Sequence, residues 1–106
     1  IIHNPPHPGK ILQDELITPM GLSIAKTAAA LNIARQTLYD LVNGNTSLTP
    51  EMAIKISKTF NSSPELWLNL QMKYELWKAR KKNIKAEPLI IDKKADQTEG
   101  EKISKP

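Results

Sequence analysis

The stretch Arg35, Gln36, Thr37, Leu38, Tyr39, Asp40, Leu41, Val42 has two kinds of surface, and its polar side is where chemistry is possible. At helical spacing Leu38, Leu41 and Val42 share one face, leaving Arg35, Gln36, Thr37, Tyr39 and Asp40 on the others. These polar groups supply a donor fork, an amide, hydroxyls and a carboxylate, the types that pair with base edges. A merely solvated helix face is the ordinary alternative. A short helix of this kind can present its leading side chains to a major groove, while helix N-termini and loop amides hold phosphates.

Positioning such a helix requires a partner helix and a tight turn. Leu22 to Asn45, LSIAKTAAALNIARQTLYDLVNGN, has that layout: Ser23 as an N-cap, a helix through about Leu31, an interruption at Asn32-Ile33, and a second helix from Arg35 to Val42. Ala28 lies where the two would cross and tolerates little bulk. Gly44, between Asn43 and Asn45, suits the left-handed position that ends a helix.

The remaining elements read as support. Ile11, Leu12, Leu16 and Ile17 recur at helical spacing over 10–17, before Thr18-Pro19-Met20-Gly21 breaks the pattern. Thr49-Pro50-Glu51 and Ser63-Pro64-Glu65 each place a capping hydroxyl before a proline and an acid in the first turn, opening helices over about 49–60 and 64–81. Residues 1–9 contain three of the eight prolines and read as a flexible, extended arm; 83–106 mixes charges without a period and reads as a mostly disordered tail. The expected architecture is all-α, with a five-helix domain over 10–82.

At 106 residues and 40% apolar content the chain has the size of one domain. The absence of cysteine excludes a disulfide framework and thiolate chemistry. No apolar run approaches the ~18–20 residues of a membrane span, and the N-terminus lacks a signal-peptide layout, so the cytoplasm is the expected location. The net charge of +4 is concentrated late: residues 1–79 carry seven Lys/Arg and six Asp/Glu, and 80–106 carry eight and five. Basicity therefore says little about the folded part, and DNA binding must be argued from geometry. His3 and His7 are four apart, but on a proline-interrupted arm without a carboxylate to complete a metal site. With no catalytic triad, phosphate loop or paired-carboxylate arrangement legible, neither an enzyme nor a cofactor is expected.

The 22–45 stretch resembles the helix-turn-helix of the lambdoid-repressor (XRE) family, including the NG after the second helix. NPPHPGKILQDEL, TPEMAIKISKTF and SSPELWLNLQMKYELWKA resemble its HigA/VapI branch of antitoxins over roughly residues 4–79. The resemblance implies a lambda-repressor-like DNA-binding domain that represses its own operon as a dimer and neutralises a HigB-type, RelE-like ribonuclease toxin. It places Arg35, Gln36 and Asp40 at base-reading positions, Thr37 at a phosphate-binding one, and Asn43 and Asn45 in a loop that grips the DNA backbone. Arg35 would suit guanine and Gln36 adenine. Asp40 would accept from cytosine N4, restrain Arg35, or act only as a charge within the helix. Tyr39 would meet a phosphate or thymine methyl, or shield the helix end.

Three positions depart from the family pattern. Ile24 replaces a polar residue, often Gln, leaving the backbone amides after Ser23, together with Lys26, to meet phosphate. Thr27 stands at an aliphatic core position and needs a partner for its hydroxyl. Ala34 offers no capping side chain to the recognition helix.

The last helix carries more apolar surface than one core-facing stripe requires. Trp67, Leu70, Tyr74 and Trp77 form an aromatic-rich stripe, expected to supply a homodimer interface in part, with one tryptophan in the core. Two other readings remain open: a toxin-binding module without DNA binding, and a stand-alone regulator without a toxin.

Overall fold

The computed structural model describes residues 4–89. His3 and positions 90–106, most of the expected tail, lie outside the described residues. Among those described there are five helical segments and no strand.

The first helix, α1, covers Pro8–Ile11 and runs directly into a π-helical turn over Leu12–Ile17. It starts earlier than its apolar period suggests. The arm expected to reach Gly9 is therefore shorter, because Pro8 occupies the N1 position, where its missing N–H costs nothing, and His7 supplies the cap. His7 Nδ1 accepts from the Gly9 N–H at 2.9 Å. Its consequence is close packing: His7, Pro8 and Gly9 are all buried. In the wider turn that follows, the Thr18 N–H donates to the Gln13 carbonyl at 2.9 Å, and both Leu12 and Ile17 reach the core.

The other helices follow their caps. α2 (Ile24–Leu31) is capped by Ser23, and α3 (Arg35–Val42) starts at Ala34 without a side-chain cap. α4 (Pro50–Phe60) and α5 (Pro64–Arg80) begin with Thr49 and Ser63, each accepting from the amide three residues on. Asn32 and Asn61 end α2 and α4 in the left-handed conformation, and Gly44 adopts it after α3 at φ 76°.

Leu12, Ile17, Ala28, Leu31, Leu38, Leu41, Val42, Leu48, Ala53, Ile56 and Trp67 form one core. The π-helical turn and each of α2 to α5 contribute to it, and α3 packs on its inner side against α1 and α2. Trp67 is only 2% exposed, and its indole N–H donates to Ser62 Oγ at 2.8 Å. It belongs to the core, which corrects its assignment to an interface between copies: a ring already enclosed and satisfied has no surface to offer.

Candidate nucleic-acid interface

The α2–α3 turn is built from backbone bonds. The N–H groups of Asn32 and Ile33 donate to the carbonyls of Ala29 and Ala28 at 3.1 and 3.0 Å, closing α2 before Ala34 begins α3. Ala28 is buried at this corner, as its small side chain requires. Thr27 is buried too, and its Oγ1 donates to the Ser23 carbonyl at 2.8 Å, so the hydroxyl has its partner within the helix.

Leu38, Leu41 and Val42 pin α3 to the core, and this decides what faces outward. Arg35, Gln36 and Thr37 are exposed, Tyr39 is 46% exposed, and Asp40 is half-buried. The first amides of α3 point forward without a capping side chain. An uncapped N-terminus flanked by Arg35, Gln36 and Thr37 offers donors, backbone and side chain together, to an anionic polymer.

Asp40 is placed differently from one sequence expectation. Its Oδ1 accepts from Gln36 Nε2 at 3.0 Å, so it restrains Gln36; among the described residues the ion pairs are Lys10–Asp14 and Lys55–Glu51, and Arg35 is in neither. Lys26 contributes through its side chain. Its backbone N–H is taken by Ser23 Oγ at 3.0 Å, so its exposed ammonium, and the preceding amides of Ile24 and Ala25, are what the first turn of α2 can offer. Ser23 is exposed, with its oxygen engaged as the cap. Asn43 and Asn45 are exposed on either side of Gly44, at the trailing end of α3.

Several residues that support this surface carry no signal in the polar pattern. A cleft beside α3 is lined by Thr37, Asp40, Leu41, Thr46, Ser47, Thr49 and Met52, which brings Thr46 and Ser47 next to Thr37 and Asp40. The loop holding them is tied to α5: the Leu48 N–H donates to Gln71 Oε1 at 2.8 Å, Gln71 Nε2 donates to Glu75 Oε2 at 2.7 Å, and Ser47 Oγ donates to the same oxygen at 3.3 Å. Gln71 is buried; its one visible sign in the sequence is a polar residue set in line with Trp67, Leu70 and Tyr74.

His7 adds a second tie. Its ring lies under Gly44 and sits 4.9 Å from the Tyr74 ring centroid. Burial lowers its pKa from 6.5, partly offset by the nearby Thr46 backbone and the charge of Glu75. Tyr74 and Trp77 are half-buried; Lys78 lies 5.2 Å from the Tyr74 ring centroid, and Lys81 lies 3.7 Å from that of Trp77. Tyr74 thus closes the N-terminal segment onto α5. Leu70 is half-buried, while Leu66, Met72 and Leu76 are the exposed large apolar residues of α5.

This arrangement is matched by the helix-turn-helix family profile over residues 14–67, half of the chain. The chain belongs to the helix-turn-helix family. An uncharacterized HTH-type transcriptional regulator of Haemophilus influenzae is 44% identical over 69 residues, which are 65% of this chain and 64% of that relative's length. The match therefore spans just under two thirds of that relative. Antitoxin HigA-1 of Vibrio cholerae is 38% identical over 72 residues, 68% of each chain. Among solved structures, Pseudomonas aeruginosa antitoxin HigA with the higBA promoter superposes with a TM-score of 0.73 at 34% identity, covering 81% of this chain and 99% of that one. The helix-turn-helix assignment and the HigA resemblance thus agree with the five-helix, lambda-repressor-like fold. No helix among the described residues is long and apolar enough to cross a membrane.

Proposed function

We propose that the protein is a sequence-specific DNA-binding repressor and the antitoxin of a HigBA-type toxin–antitoxin module, repressing its own operon in the cytoplasm and neutralising a RelE-like ribonuclease toxin. The observation that carries the DNA part is the outward Arg35–Gln36–Thr37 face of α3, its amides uncapped and its opposite side locked in the core. Ser23 and Lys26 flank it from α2, and Asn43 and Asn45 from the loop. Tyr39 lies on the same exposed side. A HigA antitoxin of similar fold in complex with its promoter supports the reading.

Two copies are required for useful affinity. Joined two-fold, they would place their α3 helices about one DNA turn apart, ~34–36 Å, and read a palindrome. Leu70, Tyr74 and Trp77 of the expected stripe remain the proposed interface.

Binding of the full chain to its own upstream DNA, measured across salt concentration, tests the reading. A steep loss of affinity with salt and preference for a palindrome are expected. Absence of sequence-preferring binding, together with tight binding of a neighbouring ribonuclease-like protein, would establish the toxin-binding module instead; DNA binding without any such neighbour would establish a stand-alone regulator. The small net charge of residues 1–79 is what favours testing the first of these alternatives.

A further inference from the structure

Gln36 and Asp40 lie one turn apart on the open side of α3, joined by the 3.0 Å bond from Gln36 Nε2 to Asp40 Oδ1. An ionised carboxylate only accepts, so the nitrogen end of the amide must face it. The bond therefore fixes which end of Gln36 is donor and which is acceptor. Asp40 is itself held in place: it is half-buried, its carbonyl accepts from the Asn45 N–H at 2.8 Å, and it forms part of the wall of the cleft shared with Thr37, Thr46 and Thr49.

We infer that Asp40 is a positioning residue that sets the base specificity of Gln36, holding its amide in the orientation that reads adenine and rejects guanine. This rests on the DNA-reading function proposed above. Of the two N–H groups on the amide, one is spent on Asp40, leaving one donor and the carbonyl acceptor. Adenine presents an acceptor at N7 beside a donor at N6, which matches. Guanine presents acceptors at both N7 and O6, so the fixed carbonyl would meet another acceptor. Freed from Asp40, the amide can turn and offer both N–H groups to guanine.

The experiment is selection by the full-length protein from a pool of randomised DNA duplexes, with Gln36→Ala identifying the base pair that Gln36 reads. The wild type is expected to enrich adenine there. Asp40→Ala and the isosteric Asp40→Asn are expected to lower the adenine-to-guanine ratio at that one position by about 3- to 10-fold, a fraction of what a full bidentate contact is worth. Asp40→Glu, which keeps the carboxylate, is expected to restore most of it.

An unchanged ratio in Asp40→Ala, with affinity raised equally for all duplexes, would show that Asp40 only repels phosphate and would overturn the inference. So would a wild-type preference that Gln36→Ala leaves intact at every position, although DNA reading would then stand. If the wild type enriches no sequence, the proposed function itself fails and the inference with it.

Discussion

The imidazole of His7 meets the Tyr74 ring edge-on, with centroids 4.9 Å apart and planes at 74°, so the residue that starts α1 is also the residue that clamps α5. The same imidazole caps Gly9 and packs against Gly44. One side chain thus couples the N-terminal segment, the loop after α3 and the last helix. A proline-rich entry read as a free arm is in fact fastened at its end.

That role makes stability depend on pH. Burial depresses the folded-state pKa of His7 below 6.5, so between the two values the unfolded chain binds a proton that the folded chain does not. Its contribution is fully present above 6.5 and is lost as pH falls through that window. Urea denaturation at pH 7.5 and at stepped lower pH should show the midpoint falling below about pH 6.5, and His7→Asn should flatten this part of the profile. An identical profile in the variant would refute the assignment.

Gly9 should tolerate no side chain. A Cβ there would stand 1.8 Å from the Leu41 carbonyl oxygen, a backbone atom that cannot turn aside. Gly9→Ala is expected to cost about 3 kcal/mol or more, through overpacking of α1 against α3. A thermal midpoint unchanged within error would contradict this packing.

Gln71→Leu should loosen the loop rather than the bundle. It leaves the buried Leu48 N–H without its acceptor, at a cost of about 1–3 kcal/mol, and takes one donor from Glu75, so that the Ser47 hydroxyl is the one bond still tying that carboxylate to the loop. Amide hydrogen exchange should accelerate over 43–48 more than over α2. Uniform acceleration across the chain would mean that Gln71 serves the core alone.

Ala34→Ser should stabilise the protein. It gives α3 the capping oxygen it lacks, a gain of about 1 kcal/mol, which raises the melting temperature by about 4–8 °C in a domain of this size. A fall in melting temperature would show that the turn cannot accept the hydroxyl.

Arg35→Ala should relax base preference while leaving the fold intact, since the side chain is exposed and in no ion pair among the described residues. Loss of a bidentate contact costs about 1–3 kcal/mol at its base pair. An unchanged footprint on operator DNA would remove Arg35 from the reading set.

Much of this was legible from local chemistry. Ser23, Thr49-Pro50 and Ser63-Pro64 announce three helix starts because a capping hydroxyl, with a proline at N1 in the last two, acts within one turn of the chain. Leu38, Leu41 and Val42 fixed the inner face of α3 by their spacing, and so its outer face as well. Trp67 and Trp77 could not be told apart this way. On a helix whose apolar residues run nearly all round, spacing does not say which face the bundle covers, and packing places one ring in the core and the other at its edge.

The amino-acid sequence by itself determined the four helices after the first, the caps at Ser23, Thr49 and Ser63, and the polar face carrying Arg35, Gln36 and Asp40, because capping and amphipathic spacing are interactions over three or four residues. Tertiary structure alone decided that His7 meets Tyr74 and that Gln71 holds Leu48. Those pairs are separated by tens of residues, and only packing the helices around a shared core brings their atoms within reach.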